Sequence, residues 1–357
     1  MKKSLIALAA LAASGFAMAQ SSVTLFGVVD AAVTVYDGAE TTTGLGNSGN
    51  SSSRLGFRGV EDLGNGLKAS FHLEGALATD NGTGTGGGSG SDATVAQYGG
   101  FQFMRRSTLS LHGGFGELRL GRNLTSAYSA TSRYDNFGTV GVGGSSVWGQ
   151  IGGVRRDNMI TYQSNDFGGF KFAADYALGE TTGANVPNGN YWGAAATYDN
   201  GPLSLGVSYF DQTRATIAGQ DRDGWSVGGS FNFGAVKLAG AFQNAELAAP
   251  GAAKAESNNY LVALSAPVGA AGEAKLSYNR YENESASNVK TKADHFSLGY
   301  VHSLSKRTAV YGTYSYLKNK NNGTAFTLGG AGMVDAAKTV DAGGKIQALQ
   351  IGVRHNF

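Results

Sequence analysis

Arg133, Arg155 and Arg156 share the stretch 123–156 with a single acid, Asp135. An excess of positive charge of this kind attracts anions when a fold gathers it around a narrow, low-dielectric passage that focuses its field. Other groups offer less chemistry. The five histidines, His72, His112, His295, His302 and His355, show no metal-ligand spacing. Glu61 and Asp62 are adjacent acids beside a Gly/Asn turn, without a base or nucleophile in the motif. They suit turn stabilisation or arginine pairing better than acid–base catalysis. The glycines of 82–92 follow no strand–helix unit, so they read as loop rather than as a phosphate cradle. A barrel enzyme would need a clustered Ser/His/acid set, and no histidine stands beside a plausible nucleophile. No catalytic residue, cofactor or metal is expected.

The elements that must position the arginines are strands. In "SSSRLGFRGVEDLGNGLKASFHLEG" (51–75), Leu55, Phe57, Leu67, Ala69, Phe71 and Leu73 alternate with Arg54, Arg58, Lys68, His72 and Glu74 around "EDLGNG". A two-residue period on both sides of a Gly/Asn turn predicts a hairpin with one apolar and one charged face. Sixteen such segments run from 23–36 to 346–357. Seven short turns alternate with eight longer polar stretches, among them 37–50, 80–100, 123–156, 245–258, 282–291 and 318–344. Tight turns on one rim and long loops on the other are the signature of an outer-membrane barrel. Strand parity points Arg54, Arg58, Lys68, Arg106, Arg119, Lys171, Lys237, Lys275 and Arg354 inward, with Asp30, Glu74 and Asp175 as the clearest inward acids. Tyr36, Phe101, Tyr176, Tyr209, Trp225, Phe233, Tyr300 and Phe357 are placed as interfacial girdles near strand ends. Gly27, Ala31 and Gly75, small positions in the early strands, suggest close packing against another subunit. Within 123–156, residues 123–130 are compatible with a short helix.

Composition and the chain ends agree. Lys2 and Lys3 precede a nine-residue apolar run, 5–13, and "AMA" at 17–19 supplies a small-x-small cleavage site. This is the pattern of a secretory signal peptide; a membrane-spanning helix needs roughly 20 apolar residues. Cleavage after Ala19 leaves 20–357 as one domain. Removing the two lysines leaves 26 basic against 26 acidic residues, so charge gives no reason to expect nucleic acid. The chain has no cysteine, which excludes a disulfide-stapled scaffold. A mean hydropathy of −0.16 fits a barrel with a polar interior as well as it fits a soluble protein. The fold class is therefore all-β, a sixteen-stranded antiparallel transmembrane β-barrel with long outside loops. A soluble sandwich would need denser and larger apolar positions than the many Ala and Gly found here.

"SSVTLFGVVDAAV", "LGFRGVEDLGNGLKA", "RRSTLSLHGGFGELRLGR" and the terminal "IGVRHNF" resemble the trimeric general porins of Gram-negative beta-proteobacteria, along the whole mature chain. The resemblance implies a homotrimer in the outer membrane, among its lipid and lipopolysaccharide, inserted by the barrel-assembly machinery. It implies that loop 123–156 folds into each pore as a constriction, and that small hydrophilic solutes diffuse through passively. In anion-preferring members a ladder of arginines from the early strands faces this loop. Arg58, Arg106 and Arg155 or Arg156 match those positions, with Arg133 and Asp135 on the loop itself. Arg54, Lys68, Glu74 and Arg119 would line the wall, and Phe357 would be the terminal aromatic read during assembly. Small anions and hydrophilic solutes are the expected cargo, with a solute-specific channel on the same barrel as the alternative. N-terminal sequencing of the exported protein should begin at Gln20; a start at Met1 would contradict the reading of the leader.

Overall fold

Alternation becomes a hydrogen-bonded wall because each strand's edge needs a partner. The computed structural model describes residues 22–84, 101–145, 153–180, 189–213, 219–321, 326–329, 340–341 and 343–357. The leader 1–19 and most of the glycine-rich stretch 82–92 lie outside the described residues. All strand pairs are antiparallel, in one continuous sheet. The first half contains β1 (Ser22–Asp37), β2 (Thr41–Asn47), β3 (Arg54–Gly64), β4 (Leu67–Ala76), β5 (Arg106–Gly113), β6 (Gly116–Leu124), β7 (Arg155–Arg156), β8 (Met159–Gln163) and β9 (Phe170–Ala177). The second contains β10 (Tyr191–Asn200), β11 (Leu203–Gln212), β12 (Asp221–Asn232), β13 (Lys237–Ala248), β14 (Ala255–Val268), β15 (Gly272–Glu284), β16 (Lys290–Ser303), β17 (Thr308–Lys320) and β18 (Lys345–Asn356). β2 and β3 both pair with β1, and β7 and β8 both pair with β6. Each of these couples is one interrupted stave, so the eighteen segments make the predicted sixteen. β18 then pairs with β1 from Val28↔Asn356 to Asp37↔Gln347, and the sheet closes without a free edge.

The faces are inverted relative to a soluble protein. On β1, β5 and β18, Val33, Leu109 and Ile351 are 51 %, 60 % and 61 % exposed, while Asp30, Thr34, Ser110 and Gln350 are buried inside. Apolar side chains left bare over the whole outer surface require lipid as their solvent. The opening hairpin turns as predicted: Gly64, Asn65 and Gly66 all take positive φ, and Asp62 Oδ1 accepts from the Gly64 N–H at 2.9 Å.

Three expectations need correction. Strands β13 to β16 run 12 to 14 residues and consume much of the chain assigned to loops 245–258 and 282–291. Above the membrane the outward face turns polar, so the lipid-side hydrophobic alternation stops, yet pairing continues through polar pairs such as Lys292–Glu282 at 2.9 Å. For the same reason, part of loop 37–50 is strand β2. Tyr36 is an inward residue, fully buried, with its hydroxyl donating to the Gly329 carbonyl at 2.9 Å; the other seven girdle aromatics are exposed. Gly27 and Gly75 are small because aromatic rings of the same chain cover them. A Cβ on Gly27 would lie 2.3 Å from the Phe357 ring, and one on Gly75 would lie 2.4 Å from the Phe101 ring.

The terminal residue therefore does two things. Its N–H donates to Gly27 O at 3.1 Å, the Gly27 N–H donates to its carbonyl at 3.0 Å, and its ring fills the space over Gly27. Deleting Phe357 should lower the yield of heat-modifiable barrel in the outer membrane while export and leader cleavage continue. Gly27→Leu, which evicts the ring but keeps the terminus, should give a smaller loss. Normal yields of both variants on semi-native gels would contradict this role.

Candidate pore constriction

From Thr125 to Ser145 the chain leaves the wall and enters the interior. Asn123 and Leu124 stay in β6, Thr125 caps the helix by accepting from the Tyr128 N–H at 3.2 Å, and helix α1 (Ser126–Ser132) follows. The helix thus begins three residues later than the sequence suggested, because Asn123 and Leu124 still pair with β7. α1 lies on the inner face of β10, β11 and β12. Asp175 on β9 anchors its start, accepting from the N–H of Ser126, from Ser126 Oγ at 3.0 Å and from Thr161 Oγ1 at 2.8 Å. Close approach requires a bare wall beneath: Cβ atoms on Gly206 and Gly228 would stand 2.4 Å from Ala130 O and 2.3 Å from the Tyr134 ring.

Beyond the helix the chain moves round the wall to β14 and β15. Asn136 Nδ2 donates to Leu264 O at 2.8 Å, and Lys275 Nζ donates to Asn136 O at 2.9 Å. Asp135 is buried, and its carboxylate accepts the N–H groups of Phe137, Thr139 and Ser145 at 2.9, 3.1 and 2.8 Å. Burial pushes this carboxyl up while those three donors pull it down. Asp135 therefore shapes the loop from within instead of presenting charge to the lumen. Val142, fully buried, completes an apolar cluster with Tyr36, Tyr281, Leu317, Ile346 and Ala348 of the far wall. The crossing is pinned at both ends.

The loop covers the wall from β9 round to β18 and leaves β3 to β6 facing water. There Arg58, Ser70, His72, Arg106, His112 and Arg119 line a recess of about 440 Å³. Most of the neighbouring arginines carry a carboxylate: Arg105–Glu74 at 2.5 Å, Arg119–Glu117 at 2.8 Å, Arg122–Asp157 at 2.6 Å and Arg133–Asp199 at 2.5 Å. Among the described residues no carboxylate lies within ion-pair distance of Arg58 or Arg106. Arg58 sits 5.1 Å over the Phe26 ring, and Arg106 Nε donates to Thr108 Oγ1 at 3.1 Å.

The predicted site residues separate accordingly. Arg54, Arg58, Lys68, Glu74, Arg106 and Arg119 all take the inward parity of β3 to β6, as expected. Arg155 and Arg156 belong to the wall and not to the loop tip: they form β7, opposite Leu124 and Asn123. Arg155 Nε donates to Arg105 O at 2.8 Å, and Arg156 Nη2 donates to Gln212 Oε1 at 2.6 Å with its guanidinium 5.1 Å over Tyr191. Sequence reasoning missed Arg105, which precedes β5 and so escapes a parity rule. It also missed Phe26, although counting back by two from Asp30 gives it an inward place.

Comparison with known proteins agrees with this geometry. A family model described as Gram-negative porin matches residues 5–322. The chain is 44 % identical over 372 aligned positions to outer membrane porin protein 32 of Delftia acidovorans, covering all of both chains. An outer membrane porin protein of Bordetella pertussis is 30 % identical over 421 positions, again over the full length of both. Among solved structures, an anion-selective porin from Comamonas acidovorans is 41 % identical with a TM-score of 0.84, covering 95 % of this chain and 100 % of that one. OmpF of Salmonella typhi, 15 % identical with a TM-score of 0.68 over 94 % of this chain and 98 % of that one, shares the fold alone. This chain belongs to the Gram-negative porin family and is an integral β-barrel channel of the outer membrane.

Proposed function

We propose that the barrel is a general diffusion pore that prefers anions, working as a homotrimer among outer-leaflet lipid and lipopolysaccharide after insertion by the barrel-assembly machinery. The observation that carries the preference is the pair Arg58 and Arg106, which stand outside any ion pair among the described residues on the wall left open by the loop. Where neighbouring arginines are neutralised by Glu74, Glu117, Asp157 and Asp199, these two keep a net positive field. In a narrow passage with low-dielectric walls such a field raises the local anion concentration. Arg155 and Arg156 add to it from β7, and Arg133, tied to Asp199, contributes less. The anion selectivity recorded for the Comamonas relative supports the same reading here. Residues 1–19 act as the cleaved leader in this scheme, and 123–156 as the constriction.

Reversal potentials across a salt gradient test it. Wild-type pores should favour chloride over potassium most strongly in dilute salt, because the Debye length falls from roughly 10 Å at 0.1 M to about 3 Å at 1 M. Arg58→Gln combined with Arg106→Gln should reduce the preference without closing the pore, and Lys254→Gln on an outer loop should leave it in place. Unchanged selectivity in the double variant would remove these arginines as the filter, and cation preference in the wild type would overturn the proposal.

A further inference from the structure

Arginines of the lumen are held in two different ways. Arg105, Arg119, Arg122 and Arg133 are fixed by carboxylates, so the group that orients each guanidinium also cancels its charge. Arg58 is oriented by a neutral ring. Its guanidinium carbon lies 5.1 Å from the centroid of Phe26, over the face where the quadrupole of the ring is negative. A cation held there keeps its full charge. Arg106 follows the same rule with a different group, since its Nε donates to the neutral Thr108 Oγ1 at 3.1 Å.

The wall is built around that ring. In the cross-strand register Phe26 of β1 stands opposite Gly56 of β3, and Arg58, two residues further along β3, stands between Thr24 and His72. Phe26 therefore reaches Arg58 on the diagonal, by laying its ring across β3, and the residue it crosses must have no side chain. Gly56 meets that need: a Cβ there would lie 2.4 Å from the tip of the Phe26 ring. On the far side the ring meets His72 edge to face, with centroids 5.2 Å apart and planes at 72°. His72 is in turn tied to Glu74, Nε2 to Oε2 at 3.4 Å. Strands β1, β3 and β4 thus fix one ring, while Arg58 itself stays exposed to the lumen. A free arginine side chain spreads its charge over many rotamers. A fixed ring beneath the guanidinium narrows that spread.

We propose that Phe26 is the positioning residue of the anion filter: its ring holds the Arg58 guanidinium at the open wall without neutralising it. The proposal rests on the anion-preferring reading above and names the group that places its charge. Reversal potentials across a salt gradient test it, on the full-length protein refolded into planar bilayers. Phe26→Leu should lower the ratio of chloride to potassium permeability roughly twofold, the scale of an exposed cation–π contact. Phe26→Tyr, which keeps the ring, should restore the wild-type ratio. Pentafluorophenylalanine at position 26 keeps the shape of the ring and reverses its quadrupole, so it should lower the ratio as leucine does. In an Arg58→Gln background Phe26→Leu should change nothing further, because a residue acting through Arg58 has no effect once the cation is gone. Heat-modifiable migration and open-channel conductance identify the variants that fold. A wild-type ratio in the pentafluorophenylalanine protein would show a ring that only fills space, and would overturn the role of Phe26. So would an equal loss when Phe26→Leu is added to Arg58→Gln. A ratio lowered by Arg58→Gln and untouched by Phe26→Leu would reject Phe26 and leave the filter standing, whereas cation preference in the wild type would reject the filter itself.

Discussion

The constraint behind this structure is that no backbone N–H or C=O can be left unpaired in hydrocarbon, where each costs several kcal/mol. A sheet meets it only by closing, and closure falls on the contact between the first and last strands. The ladder from Val28↔Asn356 to Asp37↔Gln347 is extended by the reciprocal bonds between Gly27 and Phe357. Once the wall is closed, the two-residue period of a strand forces one face into lipid and the other into the lumen. That inversion places charged groups inside. The same alternation that makes Val33 and Ile351 lipid contacts makes Asp30 and Gln350 interior groups.

A closed sixteen-stave wall by itself would be a wide hole, and we propose that the strap laid across it is the selective element. Its course is set by small features of the wall: glycines where α1 and Tyr134 approach, Asp175 at the helix start, and an apolar pocket that receives Val142. Asp135 converts backbone donors into a fixed loop tip. Because the strap lies against β9 to β18, the solute path is displaced toward β3 to β6, where the arginines without ion-pair partners project. Architecture and electrostatics are one arrangement: the side left open is the side where Arg58 and Arg106 stand outside any ion pair among the described residues.

Much of this was legible in the sequence because lipid and water impose a strict alternation. Strand number, the tight-turn rim and the inward charges of β3 to β6 follow from parity alone, as does the final strand closing on the first. What escaped has physical causes too. Above the membrane the outward face is solvated and charged, so the strand extensions around Glu282 and Lys292 lose the lipid-side period, although Tyr281 and Ala293 stay buried on the inner face. Arg155 and Arg156 look like loop residues because the interruption at 157–158 hides the short strand they form. Tyr36 was misplaced because an aromatic near a strand end fits the girdle pattern equally well when it packs beneath a loop. Asp135 offered a charge, but its role depends on backbone geometry ten residues away at Ser145, which no local pattern encodes.

The central claim is that solutes pass between the strap and the wall of β3 to β6, and not behind the strap. The chain contains no cysteine, so single thiols can report on it directly. Arg58→Cys and Ala293→Cys, the latter fully buried in the cluster that receives the loop tip, should be compared in planar bilayers with a charged, membrane-impermeant thiol reagent. Rapid modification at position 58 with a stepwise fall in current, and no reaction at 293, is the predicted result. Fast blockade through position 293, or an unreactive thiol at 58, would contradict the account.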